Sequence, residues 1–306
     1  MPTPKISVII PSWNGISYLA VCLDALRAQT FRDFDVWFID NASTDGSAEF
    51  VRQSHPEVNI INMESNVGFG RAVNAGIRAS GGELVALLNN DTAADPRWLE
   101  EAAAVFERRP DAGLVACRVV FMDRPDILDS AGDVCAAWGA VFNRGHGQPF
   151  GQEFATERDI FGVCGSAALV RRTVFDEIGL FDENLFAYYE DLDLNLRARL
   201  RGFQCIYAPE AVVRHSYSGS TVGERPKLGR EEVYLYLTAV WLKNMPASIM
   251  LRHAASAAGF HSLIFLYYLL ARARRPGPES CKPPARCRAR RRSRWLLVRP
   301  TCNRQE

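Results

Sequence analysis

Ile6-Ser-Val-Ile-Ile-Pro-Ser-Trp-Asn-Gly15 is a short apolar, β-branched run that stops in a polar loop holding Pro11, Ser12 and Asn14. This is the pattern of a buried strand that delivers polar groups to one edge of a sheet. The chain then repeats the arrangement. Leu19, Leu23 and Leu26 recur at helical spacing, and further strand-length apolar runs occupy residues 36–39, 58–61, 84–88 and 114–120. Helical patterns at 71–79 and 98–108 lie between them, the second entered through Asp95-Pro96, a helix-start signal. Strand and helix alternating every ~25–30 residues predict an α/β fold, a mostly parallel sheet with helices on both faces. Ligands of such sheets bind beyond the carboxyl ends of the strands. Here those ends run into residues 11–15, 40–47, 66–71 and 89–92, all polar. Each loop alone is ordinary turn chemistry, but four on one edge point to a polar ligand.

Past residue 120 the alternation weakens. Residues 123–151 are rich in Gly, Pro and Asp without a sustained period and read as an irregular connection or an acceptor-side region. Order returns at 161–172, followed by Phe186-Ala-Tyr-Tyr-Glu-Asp-Leu-Asp-Leu-Asn195 and by strand patterns at 204–207 and 212–215. Glu190, Asp191 and Asp193 crowd the start of a helical pattern carried by Leu192, Leu196 and Leu200 and stopped at Gly202. Carboxylates that close repel one another unless a cation, a donor hydroxyl or a helix N-terminus stabilises them. Capping accounts for one or two of the three. A polar substrate would account for the rest.

Composition bounds the remaining choices. The 306 residues are 48% hydrophobic, ample for a packed core. The net charge of +1 hides a division, because residues 272–306 hold twelve basic against two acidic residues and the remainder 24 against 33. An acidic body argues against nucleic acid as a partner, and the basic tail reads as a disordered end or a contact for anionic lipid. Cys22, Cys117, Cys135, Cys164, Cys205, Cys281, Cys287 and Cys302 form no Cys-x-x-Cys pair, which fits a reduced, cytoplasmic compartment. The apolar run after Met1 is too short for a signal peptide. Residues 231–271 read as helical. Within them 254–270 is nearly all apolar and would span ~26 Å as a helix against a hydrocarbon core of about 30 Å. A buried helix and a peripheral or re-entrant membrane contact both remain open, with Arg272, Arg274 and Arg275 favouring an anchor on the inner face of the plasma membrane.

The edge loops lack a dinucleotide fingerprint, since Gly68-Phe-Gly70 follows the third strand and Val73 stands where a third glycine is needed. No phosphate-binding Gly-x-x-x-x-Gly-Lys motif occurs either. Asn89-Asn90-Asp91 instead offers a carboxylate and two amide oxygens to a hard cation such as Mg²⁺ or Mn²⁺. In order along the chain, Ser7-Val-Ile-Ile-Pro-Ser-Trp-Asn-Gly15, Asp40-Asn-Ala-Ser-Thr-Asp-Gly-Ser47, Asn66-Val-Gly-Phe-Gly70, Leu87-Leu-Asn-Asn-Asp-Thr92 and Tyr189-Glu-Asp-Leu-Asp-Leu194 resemble family-two glycosyltransferases of the GT-A fold. The likeness is greatest to the rhamnosyltransferase-type subgroup and covers residues 5–220 or so.

That resemblance implies an inverting, metal-dependent transfer of a sugar, rhamnose first, from a nucleoside-diphosphate donor to a cell-surface glycan or lipid-linked acceptor. It implies a glycosyltransferase domain over residues 1–230, with a nucleotide half up to about 120 and an acceptor half beyond. A helical, membrane-associated segment at 231–271 and the tail at 272–306 follow. Pro11, Ser12 and Asn14 would bind the donor together with Asn66, Gly68 and Asn90, and Asp40 would contact the nucleoside. Asp91 would hold Mg²⁺ or Mn²⁺ and the diphosphate, although Asn89 stands where a stricter motif has Asp. His215 matches a histidine that approaches the metal in some relatives; an ordinary half-buried histidine is the alternative. Arg71 would pair with the diphosphate or simply face solvent. Asp191 matches the catalytic base, taking the acceptor proton as C1 is attacked, while Glu190 would contact the acceptor and Asp193 would be structural. Trp138, His146 and Gly165 lie where the acceptor would be read, although a tryptophan such as Trp138 is more often a core residue than a sugar platform. The donor would be dTDP-rhamnose, with a UDP-hexose second. A nucleotidyltransferase is a weaker reading, because no glycine-rich basic loop follows the first strand. A non-catalytic nucleotide-sugar-binding protein is weaker too, because Asp91 and Asp191 are both present.

Overall fold

The computed structural model describes residues 3–216 and 230–273. Its first half alternates as expected: β1 (Ile6–Ser12), α1 (Ile16–Arg27), β2 (Phe34–Asp40), α2 (Ser47–Ser54), β3 (Asn59–Asn62), α3 (Phe69–Ala79), β4 (Leu84–Leu88), β5 (Thr92–Ala94), α4 (Trp98–Arg108) and β6 (Ala112–Phe121). The region read as irregular carries three short strands, β7 (Leu128–Ser130), β8 (Asp133–Cys135) and β9 (Val141–Asn143). Too few residues lie in each for a period of two to show. There follow β10 (Arg158–Ile160), β11 (Ala167–Arg171), α5 (Arg172–Ile178), α6 (Glu190–Arg201) and β12 (Gln204–His215), then α7 (Arg230–Asn244), α8 (Ala247–Arg252) and α9 (Ala254–Ala273). The two strand patterns expected at 204–207 and 212–215 are one strand, whose register slips between Ala208 and Val212.

The main sheet runs β10-β12-β6-β11-β4-β1-β2-β3, with β5 added beside β12 and β7 beside β6. β1 is parallel to both β2 and β4, and β2 to β3, whereas β11 is antiparallel to β4 and β6. The sheet is therefore mostly parallel, as expected. Its core explains why the strand signal was strong: Ile6, Val8 and Ile10 pack on one face with Leu19, Leu23 and Trp98, while Ile9 faces the other with Val73, Ile77 and Val174. Every residue of β4 is buried, so a strand covered on both faces reads as a continuous apolar run.

A smaller cluster joins α6 to α7 through Leu192, Leu196, Leu237 and Val240. Asp193, fully buried, fastens the same contact: its oxygens accept from Arg197 Nε, Lys243 Nζ and Asn244 Nδ2, each at 2.8 Å. The helical segment expected at 231–271 is broken after Asn244, where Pro246 lacks the N–H a continuing helix needs. One compact unit runs to Tyr268 and a second from Leu269. In α9, Leu263, Phe265, Leu266 and Tyr267 are exposed. Among the described residues no helix is long and apolar enough to cross a membrane. The expected tail lies, from residue 274 on, outside the described residues, and Cys281, Cys287 and Cys302 lie there with it.

Candidate active site

The carboxyl ends of β1 and β2 sit level, Ser12 opposite Asp40. Pro11 and Ser12 thus end the strand rather than begin the loop. The loops beyond are tied together largely by amides and hydroxyls, with Asp45 accepting from the N–H groups of Ile16 and Ser47. Asn14 N–H donates to Ser43 Oγ at 2.9 Å, and Thr44 N–H donates to Asn14 Oδ1 at 2.8 Å. Asn41, unremarkable in the sequence, is a hub: its Nδ2 donates to Asn66 Oδ1 (3.0 Å) and to the Gly68 carbonyl (3.2 Å), and its Oδ1 accepts from Val67 N–H. Asn90 Nδ2 donates to Ser12 Oγ at 2.8 Å. Gly15 permits that approach, because a Cβ there would come within 1.9 Å of Asn90 Nδ2. Asp40 accepts from Ser43 N–H at 3.3 Å.

Asp91 is buried just past β4. The antiparallel pairing of β5 with the end of β12 sets Thr92 opposite His215, and His215 Nε2 lies 3.2 Å from Asp91 Oδ1. On its other side Nδ1 lies 2.6 Å from Asp129 Oδ2. Burial opposes a charged ring, but hydrogen bonds to Asp129 and Asp91 outweigh it and lift His215 to about 9. Asp129 on β7 has no distinguishing sequence signal, since it is one of several aspartates in an irregular stretch.

The acidic segment is joined to this edge by backbone contacts. Asn89 N–H donates to the Ser166 carbonyl (3.0 Å) and Gly165 N–H to Asp191 Oδ2 (3.0 Å), so the loops of both acids hold neighbouring residues. Phe69 N–H donates to the Phe186 carbonyl at 2.7 Å. Gly68, at φ +87°, leaves room for it: a Cβ would fall 2.3 Å from that carbonyl oxygen. Tyr188 and Tyr189 both adopt left-handed conformations (φ +72° and +67°) immediately before α6. The other non-glycine residues with positive φ among those described are Asn14 and Ala42. All four lie on these edge loops, where strained backbone often marks function.

Asp191 accepts a second bond from Leu192 N–H at 2.8 Å. Burial raises its affinity for a proton, and the N–H groups of Gly165 and Leu192 oppose that rise. Glu190 is buried, and its Oε2 has no hydrogen-bond partner among the described residues. Desolvation first and the neighbouring Asp191 second push it up to about 8. Asp133, also buried, is raised by desolvation and by Asp191. Its place in a three-residue strand hid it from sequence reasoning. Arg71 donates through Nε to the Glu183 carbonyl at 2.9 Å. Trp138 is 40% exposed on a turn whose Ala137 carbonyl accepts from Trp241 Nε1.

The chain is 28% identical over 232 residues to the O-antigen biosynthesis protein RfbC of Myxococcus xanthus, covering 71% of this chain and 18% of that protein. It is 27% identical over 254 residues to an N-acetylglucosaminyl-diphospho-decaprenol L-rhamnosyltransferase of Mycobacterium tuberculosis, covering 72% and 78%. It thus spans less than a fifth of the first relative's length. The mannosyltransferase PcManGT of Pyrobaculum calidifontis, solved with GDP-Man and Mn²⁺, shares the fold at a TM-score of 0.52 and 18% identity, over 88% of this chain and 81% of that one. The profile of glycosyl transferase family 2 matches residues 7–179, more than half of the sequence. The chain belongs to glycosyl transferase family 2.

Proposed function

We propose that the protein is an inverting glycosyltransferase that moves rhamnose from a nucleoside-diphosphate donor to a glycan or lipid-linked acceptor. The observation that carries this reading is Asp191: a half-buried carboxylate at the N-terminus of α6, pinned by two backbone N–H groups and linked through Gly165 and Ser166 to the Asp91 loop. A base so fixed takes the acceptor hydroxyl proton as that oxygen attacks C1 and the nucleoside diphosphate departs. Glu190 and Trp138 contact the acceptor within an acceptor half from about residue 121. Pro11, Ser12, Asn14, Asp40, Asn66, Gly68 and Asn90 hold the donor within the nucleotide half, and Arg71, beside Glu183 in this structure, approaches the diphosphate. The mycobacterial relative, named for rhamnose transfer to a decaprenol-linked acceptor, supports dTDP-rhamnose over a UDP-hexose. Action at the inner membrane face is part of this reading, with the exposed apolar residues of α9 resting on lipid.

A divalent cation fits the edge at Asp91 and His215. Their carboxylate oxygen and ring nitrogen are 3.2 Å apart, a donor set suited to Mn²⁺ or Mg²⁺. Among the described residues no cluster of three or more metal-ligating side chains exists, so diphosphate oxygens and water would complete the coordination. When bound, the cation offsets charge on the departing diphosphate. The test is a nucleotide-sugar screen by thermal unfolding with Mn²⁺ or Mg²⁺ present. A donor at 100 times its dissociation constant adds about 2.7 kcal/mol, and dTDP-rhamnose should stabilise most. Transfer to a polyprenyl-linked glycan follows, with the product anomer read by NMR. Retained anomeric configuration, or no stabilisation by any donor, would sink the reading.

A further inference from the structure

Asp129 is a buried carboxylate, 5% exposed, with no part in the proposed chemistry, yet both of its oxygens face imidazoles. Oδ2 lies 2.6 Å from His215 Nδ1 and Oδ1 3.1 Å from His146 Nδ1, which also lies 2.8 Å from the Asp129 main-chain oxygen. The sheet makes the meeting possible. β7 pairs antiparallel with β6, β6 pairs parallel with β12, and His215 stands at the end of β12 opposite Phe121. His146, between Gly145 and Gly147 at φ +75° and +74°, packs edge-on against Phe121 from the turn above. A continuous line therefore runs from His146 through Asp129 and His215 to Asp91.

We propose that Asp129 is a positioning residue that holds the Nδ1–H of His215, so that Nε2, its proton released to solvent as a divalent cation binds, is presented beside Asp91 as a ligand for that cation. The inference rests on the cation reading above and adds to it a residue that touches neither metal nor nucleotide. An imidazole has one free rotation about its stem and two tautomers, and a carboxylate oxygen held 2.6 Å from Nδ1 restricts both. Metal-binding histidines commonly give their second N–H to such a carboxylate, and loss of that partner costs about 10–100-fold in metal affinity. His215 held beside Asp91 alone would keep the proximity but not the orientation. As a mere core salt bridge, Asp129 would affect folding and leave metal affinity unchanged once the protein is folded.

The experiment is Mn²⁺ binding to the full chain, read by the electron paramagnetic resonance signal of free Mn²⁺ with UDP and dTDP as parallel probes. Asp129→Asn should weaken Mn²⁺ by about 10–100-fold, and His215→Ala by at least as much. Adding Asp129→Asn to His215→Ala should change affinity less than about twofold, because the carboxylate acts through the ring. Unfolding curves without metal establish that each variant is folded. A folded Asp129→Asn protein that binds Mn²⁺ as the wild type does, or an equal loss in both backgrounds, overturns the proposal. Should that variant fail to fold, long-range ¹H–¹⁵N spectra of the wild type with Mg²⁺ and the same nucleotides decide the matter. His215 is expected as the Nδ1–H tautomer, and an Nε2–H ring overturns the proposal. If the wild type binds Mn²⁺ with neither probe, the cation reading itself fails and this inference falls with it, an outcome separate from wild-type binding that ignores Asp129.

Discussion

The two sides of the candidate site solve opposite problems. Along the ends of β1 to β4, neutral amides and hydroxyls satisfy one another: Asn14 with Ser43 and Thr44, Asn41 with Asn66 and Gly68, Ser12 with Asn90. Across from them, Asp133 and Glu190 are carboxylates held out of water and Asp191 is half-buried, Asp191 with two N–H donors and Glu190 Oε2 with no partner among the described residues. The first side has its polar groups paired with one another. The second holds groups whose ionisation is disfavoured until something donates to them. A donor substrate suits the first and an acceptor rich in hydroxyls the second, because buried polar groups without partners are costly.

The contrast breaks most clearly at Asp191. Asp191→Asn should lower transfer by at least about 10²-fold while thermal stabilisation by the donor stays at the wild-type level. Loss of donor binding in that variant would mean that the sides are not separate. Gly68→Ala tests the seam between them, since the new methyl would meet the Phe186 carbonyl at a positive φ. Unfolding in urea should show a loss of about 2–3 kcal/mol, and a change under 0.5 kcal/mol would deny the close approach. Asp193→Ala separates structure from chemistry within the acidic segment. It removes the partner of Arg197, Lys243 and Asn244, but Lys243 is 45% exposed and rehydrates easily. A loss of about 1–2 kcal/mol is expected, with the apparent KM for donor unchanged.

How much of this was legible follows the same division. β1 and β4 are buried on both faces, so their continuous apolar runs marked them, and 84–88 and 98–108 coincide with β4 and α4, whereas β3 is half-exposed. Asp193 was readable as structural but not as the anchor of α7, because Lys243 and Asn244 lie some fifty positions away. Asp129 and Asp133 were not readable at all. They sit on three-residue strands, and their importance arises from what the sheet brings to them, His215 and Asp191. A short strand carries too few alternations to register, and a carboxylate's environment has no local sequence signature. β12 was divided in two because its register slip interrupts the alternation at Pro209-Glu210.

A pH-dependent effect sharpens the comparison most directly. Glu190 titrates near 8 in the folded protein against an ordinary value of 4.5, with burial the main cause and Asp191 the second. Between those values the folded state keeps a proton that the unfolded chain has released. Stability from this residue is therefore fully present below pH 4.5 or so and declines as pH rises through about 8. Glu190→Gln cannot ionise and escapes the decline. Its melting temperature relative to wild type should rise with pH, the difference being larger at pH 8.5 than at pH 5.5. Asn14→Asp in the opposite wall gives the reverse control: a carboxylate in an exposed, hydrogen-bonded loop ionises in both states and should produce a flat difference over the same range. A flat difference for Glu190→Gln as well would mean that its carboxylate is hydrated, and the two sides would no longer differ in kind.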